Sequence, residues 1–157
     1  RAFIADLEAG RAIRGASTIS QQLMKNIYLH HGRTLSRKFQ EAVLTWRLEQ
    51  RVPKERILEL YLNVVEMGRH LRGIPQAARH YFDKPPDQLT PLEAAHLAAI
   101  TPSPRNLPFM LEGDLPSTEW MRRVYQLIRI MRRAHYLSPG DAEALQKTKL
   151  VLKKGPG

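Results

Sequence analysis

The chain has 157 residues, of which 43% are hydrophobic and 25% charged, and its 25 Lys+Arg against 15 Asp+Glu give a formal net charge of +10. The length suits one domain, the composition excludes wholesale disorder, and the lack of cysteine excludes disulfides, a catalytic thiol and any thiolate metal site. The charge excess predicts an anionic partner (nucleic acid, an anionic membrane surface or a phosphorylated substrate), against the plainer alternative of a solvated basic surface.

In chain order the pattern is helical almost throughout. Arg1 to Ala9 reads as a short helix stopped by Gly10. After a break at Gly15-Ala16, Thr18 and Gln21 fit a capping box, and Ile19, Leu23 and Ile27 follow at helical spacing. A polar loop at His30 to Thr34 leads to a helix from about Ser36 to Arg51, with Phe39, Ala42, Val43 and Trp46 on one face. Pro53 suits the start of the next helix, whose apolar stripe is Ile57, Leu60, Tyr61 and Val64. Gly68 and Gly73 bracket a turn, and a short helix carries Ala77, Ala78, Tyr81 and Phe82. Thr90-Pro91-Leu92-Glu93 is a strong start for an Ala-rich helix that ends before Pro102. The stretch to Pro116, with Pro108 and Gly113, reads as irregular. Ser117 caps a long helix with Trp120, Val124, Leu127, Ile128 and Met131 toward the core and Arg122, Arg123, Arg129, Arg132 and Arg133 around the rest. Ser138 begins a last short helix, and the residues from Lys147 read as a frayed linker or short strand.

No stretch approaches the ~20 apolar residues of a membrane span, and Arg1 opens neither a signal peptide nor a Met start. The expectation is a piece of a longer protein with its targeting segment upstream.

Three polar stretches could carry chemistry. In the first, Ser17, Thr18, Gln21, Gln22, Lys25 and Asn26 surround a helix N-terminus, where free N–H groups and the helix dipole favour anions. An ordinary capped amphipathic helix explains the same residues. In the second, Arg37, Lys38 and Glu41 fall within about 100° on a helical wheel, with Arg33 just before them. Glu41 is there either a carboxylate kept ionised in a covered cleft or one end of a surface ion pair. In the third, Glu59 and Asn63 stand opposite the Ile57/Tyr61 stripe, as a solvated helix face also would. The six histidines show no metal-ligand spacing, and no DNA-binding motif accompanies the arginine-rich helix.

Together these stretches resemble the peptidoglycan glycosyltransferase (transglycosylase) family, as in monofunctional biosynthetic transglycosylases and class A penicillin-binding proteins. Gly15 to Asn26 matches Gly-x-Ser-Thr-Ile-x-Gln-Gln-x-x-Lys-Asn, Arg37 to Glu41 matches Arg-Lys-x-x-Glu, and Lys54 to Asn63 matches Lys-x-x-Ile-Leu-Glu-x-Tyr-Leu-Asn. Segments at Gly73 to Phe82, Leu89 to Pro104 and Arg123 to Met131 follow in the family's order.

The resemblance implies a mostly α, lysozyme-like fold. The domain would occupy residues 1–146, incomplete at its N-terminus, with 147–157 as tail or linker. It implies polymerisation of lipid II, in which a sugar 4-hydroxyl attacks C1 of the growing chain with inversion and undecaprenyl diphosphate leaves. Lys25, Arg33, Arg37 and Lys38 would hold phosphate groups. Ser17, Thr18, Gln21, Gln22 and Asn26 would line the cleft, and Glu59 and Asn63 would support it. Glu41 would be the family's second, diphosphate-supporting glutamate, a role a divalent cation (Mg2+ or Mn2+) could bridge. The family's first motif, a Glu-Asp pair whose glutamate is the general base, has no match here; Asp6 and Glu8 are not substitutes. Implied partners are lipid II, the undecaprenyl diphosphate-linked glycan, the membrane surface and cell-wall synthesis proteins, with no nucleic acid. The implied place is the periplasmic or extracellular face of the bacterial inner membrane, through an anchor outside this chain, with residues 28–35 toward the membrane. Two alternatives remain: a module that binds lipid II or moenomycin without turnover, and a basic helical nucleic-acid binder, which explains the charge alone.

Overall fold

A computed structural model describes residues 18–28, 35–104, 111–112 and 115–153, and of Leu35, Arg37, Leu111, Glu112 and Leu115 only the backbone. The helix expected before Gly10, the Gly15 break, the 30–34 loop and the surroundings of Pro108 and Gly113 lie outside the described residues. The chain divides into two compact units, residues 1–64 and 65–157.

In the first unit, α1 (Ile19–Tyr28) packs against both α2 (Leu35–Arg51) and α3 (Lys54–Val64). The capping box at its start is present: Thr18 Oγ1 accepts the Gln21 N–H at 3.2 Å, and Gln21 Oε1 accepts the Thr18 N–H at 3.1 Å. Pro53 stands just before α3, its carbonyl accepting the Ile57 N–H at 3.0 Å. Leu23, Met24, Ile57 and Tyr61 form the buried core. Of the expected Ile19/Leu23/Ile27 series only Leu23 is inside; Ser20 and Met24 complete the buried face. The apolar face of α2 is turned outward, with Phe39 72% and Trp46 62% exposed, while Glu41 and Thr45 are buried on the opposite side.

The second unit opens with a hairpin where the sequence suggests only a turn. β1 (Glu66–Gly68) pairs antiparallel with β2 (Leu71–Arg72) around a bulge, and His70 takes a left-handed φ of 58° at the tip. Gly73, at φ 76°, donates its N–H to Val65 O at 2.8 Å and so sends the chain into α4 (Ile74–Phe82). The buried face of α4 is the expected one: Ala77, Ala78, Tyr81 and Phe82. After a 3-10 turn at Pro86–Gln88, α5 (Pro91–Ile100) starts on a full Thr90/Glu93 capping box, to which Lys84 Nζ adds an ion pair at 2.7 Å. A short pair, β3 (Leu111–Glu112) and β4 (Leu115–Pro116), precedes α6 (Thr118–Arg133), which Ser117 caps by accepting the Trp120 N–H at 3.1 Å. Ser138 caps α7 (Pro139–Lys147) in the same way.

The centre of this unit is aromatic. Trp120 Nε1 donates to His96 Nδ1 at 2.8 Å, and the His96 ring meets Tyr81, Phe82 and Trp120 edge to face. Tyr81 donates its hydroxyl to Met67 O at 3.0 Å. Burial pushes the pKa of that hydroxyl up to about 12, so it remains a donor. Residues 148–152 are not frayed: Leu150 is buried, and Lys153 donates its N–H to Tyr81 O at 2.8 Å and pairs with Asp83.

Candidate functional site

The candidate residues that the structure describes all lie in the first unit. Thr18, Gln21, Gln22, Lys25 and Asn26 are on or at the start of α1, Lys38 and Glu41 on α2, and Glu59 and Asn63 on α3. Ser17 and Arg33 lie outside the described residues, as does the Arg37 side chain.

Two side-chain contacts organise them. On α2, Lys38 Nζ reaches Glu41 Oε1 at 2.5 Å across one helical turn. The Lys38 side chain is 57% exposed, whereas that of Glu41 is 5% exposed. Burial separates Glu41 from an ordinary surface ion pair. Glu41 is a covered carboxylate tethered to a cation that still reaches solvent, not one end of an exposed pair. Burying an ionised carboxylate is unfavourable unless it is paired and hydrogen-bonded. Lys38 supplies both, and it leaves most of its own charge available to an outside anion.

Between α1 and α3, Tyr61 donates its hydroxyl to Gln22 Oε1 at 3.0 Å. This fixes the amide of Gln22 with its NH2 left as the donating end. Spacing places Tyr61 in the core, where its ring indeed lies, but spacing does not reveal its role as anchor of a site amide. The available signal is a Tyr where a Phe would fill an apolar stripe as well. Around this pair Gln21 and Asn26 are half-buried, and Thr18 and Lys25 are exposed.

The α3 pair behaves differently. Glu59 is exposed and pairs with Arg56 at 2.6 Å, and Asn63 donates its side-chain N–H to the Glu59 backbone carbonyl at 2.8 Å. Both contacts stay within α3, on its solvated face.

Lys38 beside the buried Glu41 carboxylate and, separately, the Gln22 amide set by Tyr61 are groups suited to holding and neutralising oxyanions. They do not offer a resident metal site. The Glu41 carboxylate is already engaged by Lys38. Among the described residues, no three His, Asp or Glu side chains lie together to hold an ion. The described donor set therefore does not fit a protein-held Mg2+ or Mn2+, and no step is drawn through one. A shallow depression of about 370 Å³ along α2 is lined by Phe39, Gln40, Val43 and Leu44.

A transglycosylase family profile matches residues 1–153. A biosynthetic peptidoglycan transglycosylase of Alcanivorax borkumensis is 46% identical over 127 residues, covering 80% of this chain and 52% of the relative. One from Azoarcus sp. is 50% identical over 105 residues, 67% of this chain and 46% of the relative. Among solved structures, penicillin-binding protein 1A from Haemophilus influenzae superposes with a TM-score of 0.56 at 29% identity, over 66% of this chain and 15% of that one. The chain spans about half the length of the curated relatives it matches.

Proposed function

The chain belongs to the transglycosylase family, and from that premise we propose that its first unit binds the diphosphate-linked saccharide of lipid II for polymerisation into peptidoglycan glycan strands. The mostly helical, lysozyme-like fold agrees with the family. The observation that carries the reading is the buried Glu41 tethered to exposed Lys38 within the Arg-Lys-x-x-Glu motif.

In this reading a sugar 4-hydroxyl attacks C1, the bond from C1 to the diphosphate oxygen breaks, and undecaprenyl diphosphate carries the electron pair away. Charge builds on that leaving group in the transition state. Lys25, Arg33, Arg37 and Lys38 stabilise it, and preorganised donors of this kind are each worth about 10²–10³ in rate. Glu41 is a positioning residue: it holds Lys38 in place and keeps the cluster from repelling itself apart. Ser17, Thr18, Gln21, Gln22 and Asn26 line the cleft, with Gln22 set by Tyr61, while Glu59 and Asn63 support α3 through contacts within that helix. The membrane surface at the outer face of the inner membrane supplies the substrate, and cell-wall synthesis proteins are the natural neighbours.

The family's general-base motif does not occur in residues 1–157. Polymerisation is therefore proposed for a chain that carries that motif. The same fact favours, for these residues by themselves, binding of lipid II or moenomycin without turnover. The test is chain extension of labelled lipid II in detergent by a longer chain that includes the motif, beside Lys25→Ala and Glu41→Gln. Each variant is expected to lose about 10²-fold or more in rate. Full activity in either removes that residue from its role, and robust polymerisation by residues 1–157 alone refutes the separation of binding from the base.

A further inference from the structure

We propose that the outward face of α6 docks on the anionic headgroups of a lipid bilayer. This goes beyond the transferase reading. The family resemblance puts membrane contact at residues 28–35, in the other unit, whereas this surface is α6 and the turn that follows it.

The core side of α6 fixes which side faces out, because Trp120, Val124 and Ile128 are buried. Arg122, Arg129 and Arg133 then fall in one exposed stripe, at spacings of seven and four residues, with Arg132 at its border. None of these four arginines forms an ion pair with a described residue. Helix electrostatics accounts for only part of the set. Cations in the last turn favour the helix dipole, so Arg132 and Arg133 have a local reason to be there. Arg122 is the fifth residue of α6, outside both terminal turns, so the dipole gives no reason for its presence in the stripe.

The apolar residues select the occupant. Ile130 is 49% exposed on one flank of the stripe, and Tyr136 is 79% exposed just beyond the helix end. Tyr136 is held against the helix end: His135 turns left-handed at φ 63°, and the Tyr136 N–H reaches back to Met131 O at 2.9 Å. Arginine forks match phosphodiester oxygens, and an aliphatic side chain and a tyrosine beside them gain by entering the headgroup–acyl boundary. A duplex offers the same phosphates but no apolar layer for Ile130, so the lipid surface is favoured over nucleic acid.

The test is sedimentation of the chain with phosphatidylcholine vesicles, with and without phosphatidylglycerol, at low and high salt. The wild type is expected to bind only the phosphatidylglycerol vesicles and to come off as salt rises. The exposed triple variant Arg122→Gln/Arg129→Gln/Arg133→Gln is expected to lose about 100-fold in partitioning, from about fivefold per arginine. Its circular dichroism and Tm should match the wild type. Ile130→Ser with Tyr136→Ser is expected to weaken binding several-fold and to leave the salt dependence intact. Equal binding to both vesicle types, undiminished binding by the triple variant, or no vesicle binding at all overturns the proposal. So does a duplex DNA affinity that exceeds the vesicle affinity and is lost in the triple variant. Detergent polymerisation assays contain no vesicles, so failure here and failure of the transferase reading are separable.

Discussion

Two buried polar atoms, Thr45 Oγ1 and His96 Nε2, have no hydrogen-bond partner among the described residues. Thr45 lies one turn beyond Glu41 on the inward face of α2. A buried hydroxyl without a partner costs about 1–3 kcal/mol. Valine keeps the shape and removes the hydroxyl, so Thr45→Val should raise stability by about 1 kcal/mol, read as a higher urea midpoint at unchanged slope. A lower midpoint would show that the hydroxyl is satisfied, for instance by a buried water. His96 is fully buried among aromatic rings, and desolvation lowers its pKa to about 4. The unfolded chain, near 6.5, binds the proton first. Stability from this group is therefore intact above about pH 6.5 and is lost as the pH falls from there toward 4. Between pH 7 and 5 the loss should be about 2 kcal/mol, because below about pH 6.5 each further pH unit costs roughly 1.36 kcal/mol. His96→Phe should abolish most of that slope in urea titrations, while lowering stability at pH 7, because Trp120 Nε1 loses its acceptor.

Helix starts are local, and they were legible. The residues Thr18/Gln21, Thr90/Glu93, Ser117 and Ser138 name their own N–H partners three positions on, and the structure shows each bond. Thr90→Ala should cost about 1 kcal/mol in thermal or urea unfolding, since it removes a cap and half of a box. Helix ends were less legible, because His135 and Asp83 take the left-handed conformation that glycine usually supplies. His135→Gly should stabilise by up to about 1 kcal/mol, and an unchanged or lower Tm would mean that the His135 side chain contributes there. The orientation of an element was the hardest part to read. Amphipathic periodicity found the right faces of α4 and α6, but on α2 it drew attention to Phe39, Val43 and Trp46, which lie outward or half-buried. The inward face there carries Glu41 and Thr45. A helix that serves a polar site buries part of its polar face, and a hydrophobic pattern cannot show that. The motif sets Lys38 and Glu41 one turn apart whichever face is inside, so it left the burial of Glu41 open too. Tyr61 holding Gln22 was not legible, since it joins residues 39 positions apart. The hairpin at 66–72 was not legible either: its strands are three and two residues long and leave no alternation to see.

At the scale of the whole chain the dominant quantity is the charge of +10. In the proposed reading, part of it, at Lys25, Arg33, Arg37 and Lys38, meets a leaving diphosphate, and α6 concentrates a second part for another anion. Such concentration has a consequence that no single site determines. Like charges repel in the compact state, and screening by salt relieves that repulsion over a Debye length of about 10 Å at 0.1 M. Acidification adds to it, because any chain gains positive charge as the pH falls. Two separable effects should therefore destabilise the chain between pH 7 and 5: general repulsion, which salt relieves, and the local cost of protonating buried His96, which salt barely touches. Wild type at pH 5 should recover only part of its lost Tm when NaCl is raised from about 10 mM to about 150 mM. His96→Phe should lose less on acidification and recover nearly all of that smaller loss with salt. Complete recovery of the wild type by salt would show that His96 does not control the acid sensitivity. No recovery in either protein would show that the +10 charge is already balanced by its own arrangement, and would leave ligand binding as the sole reason for it.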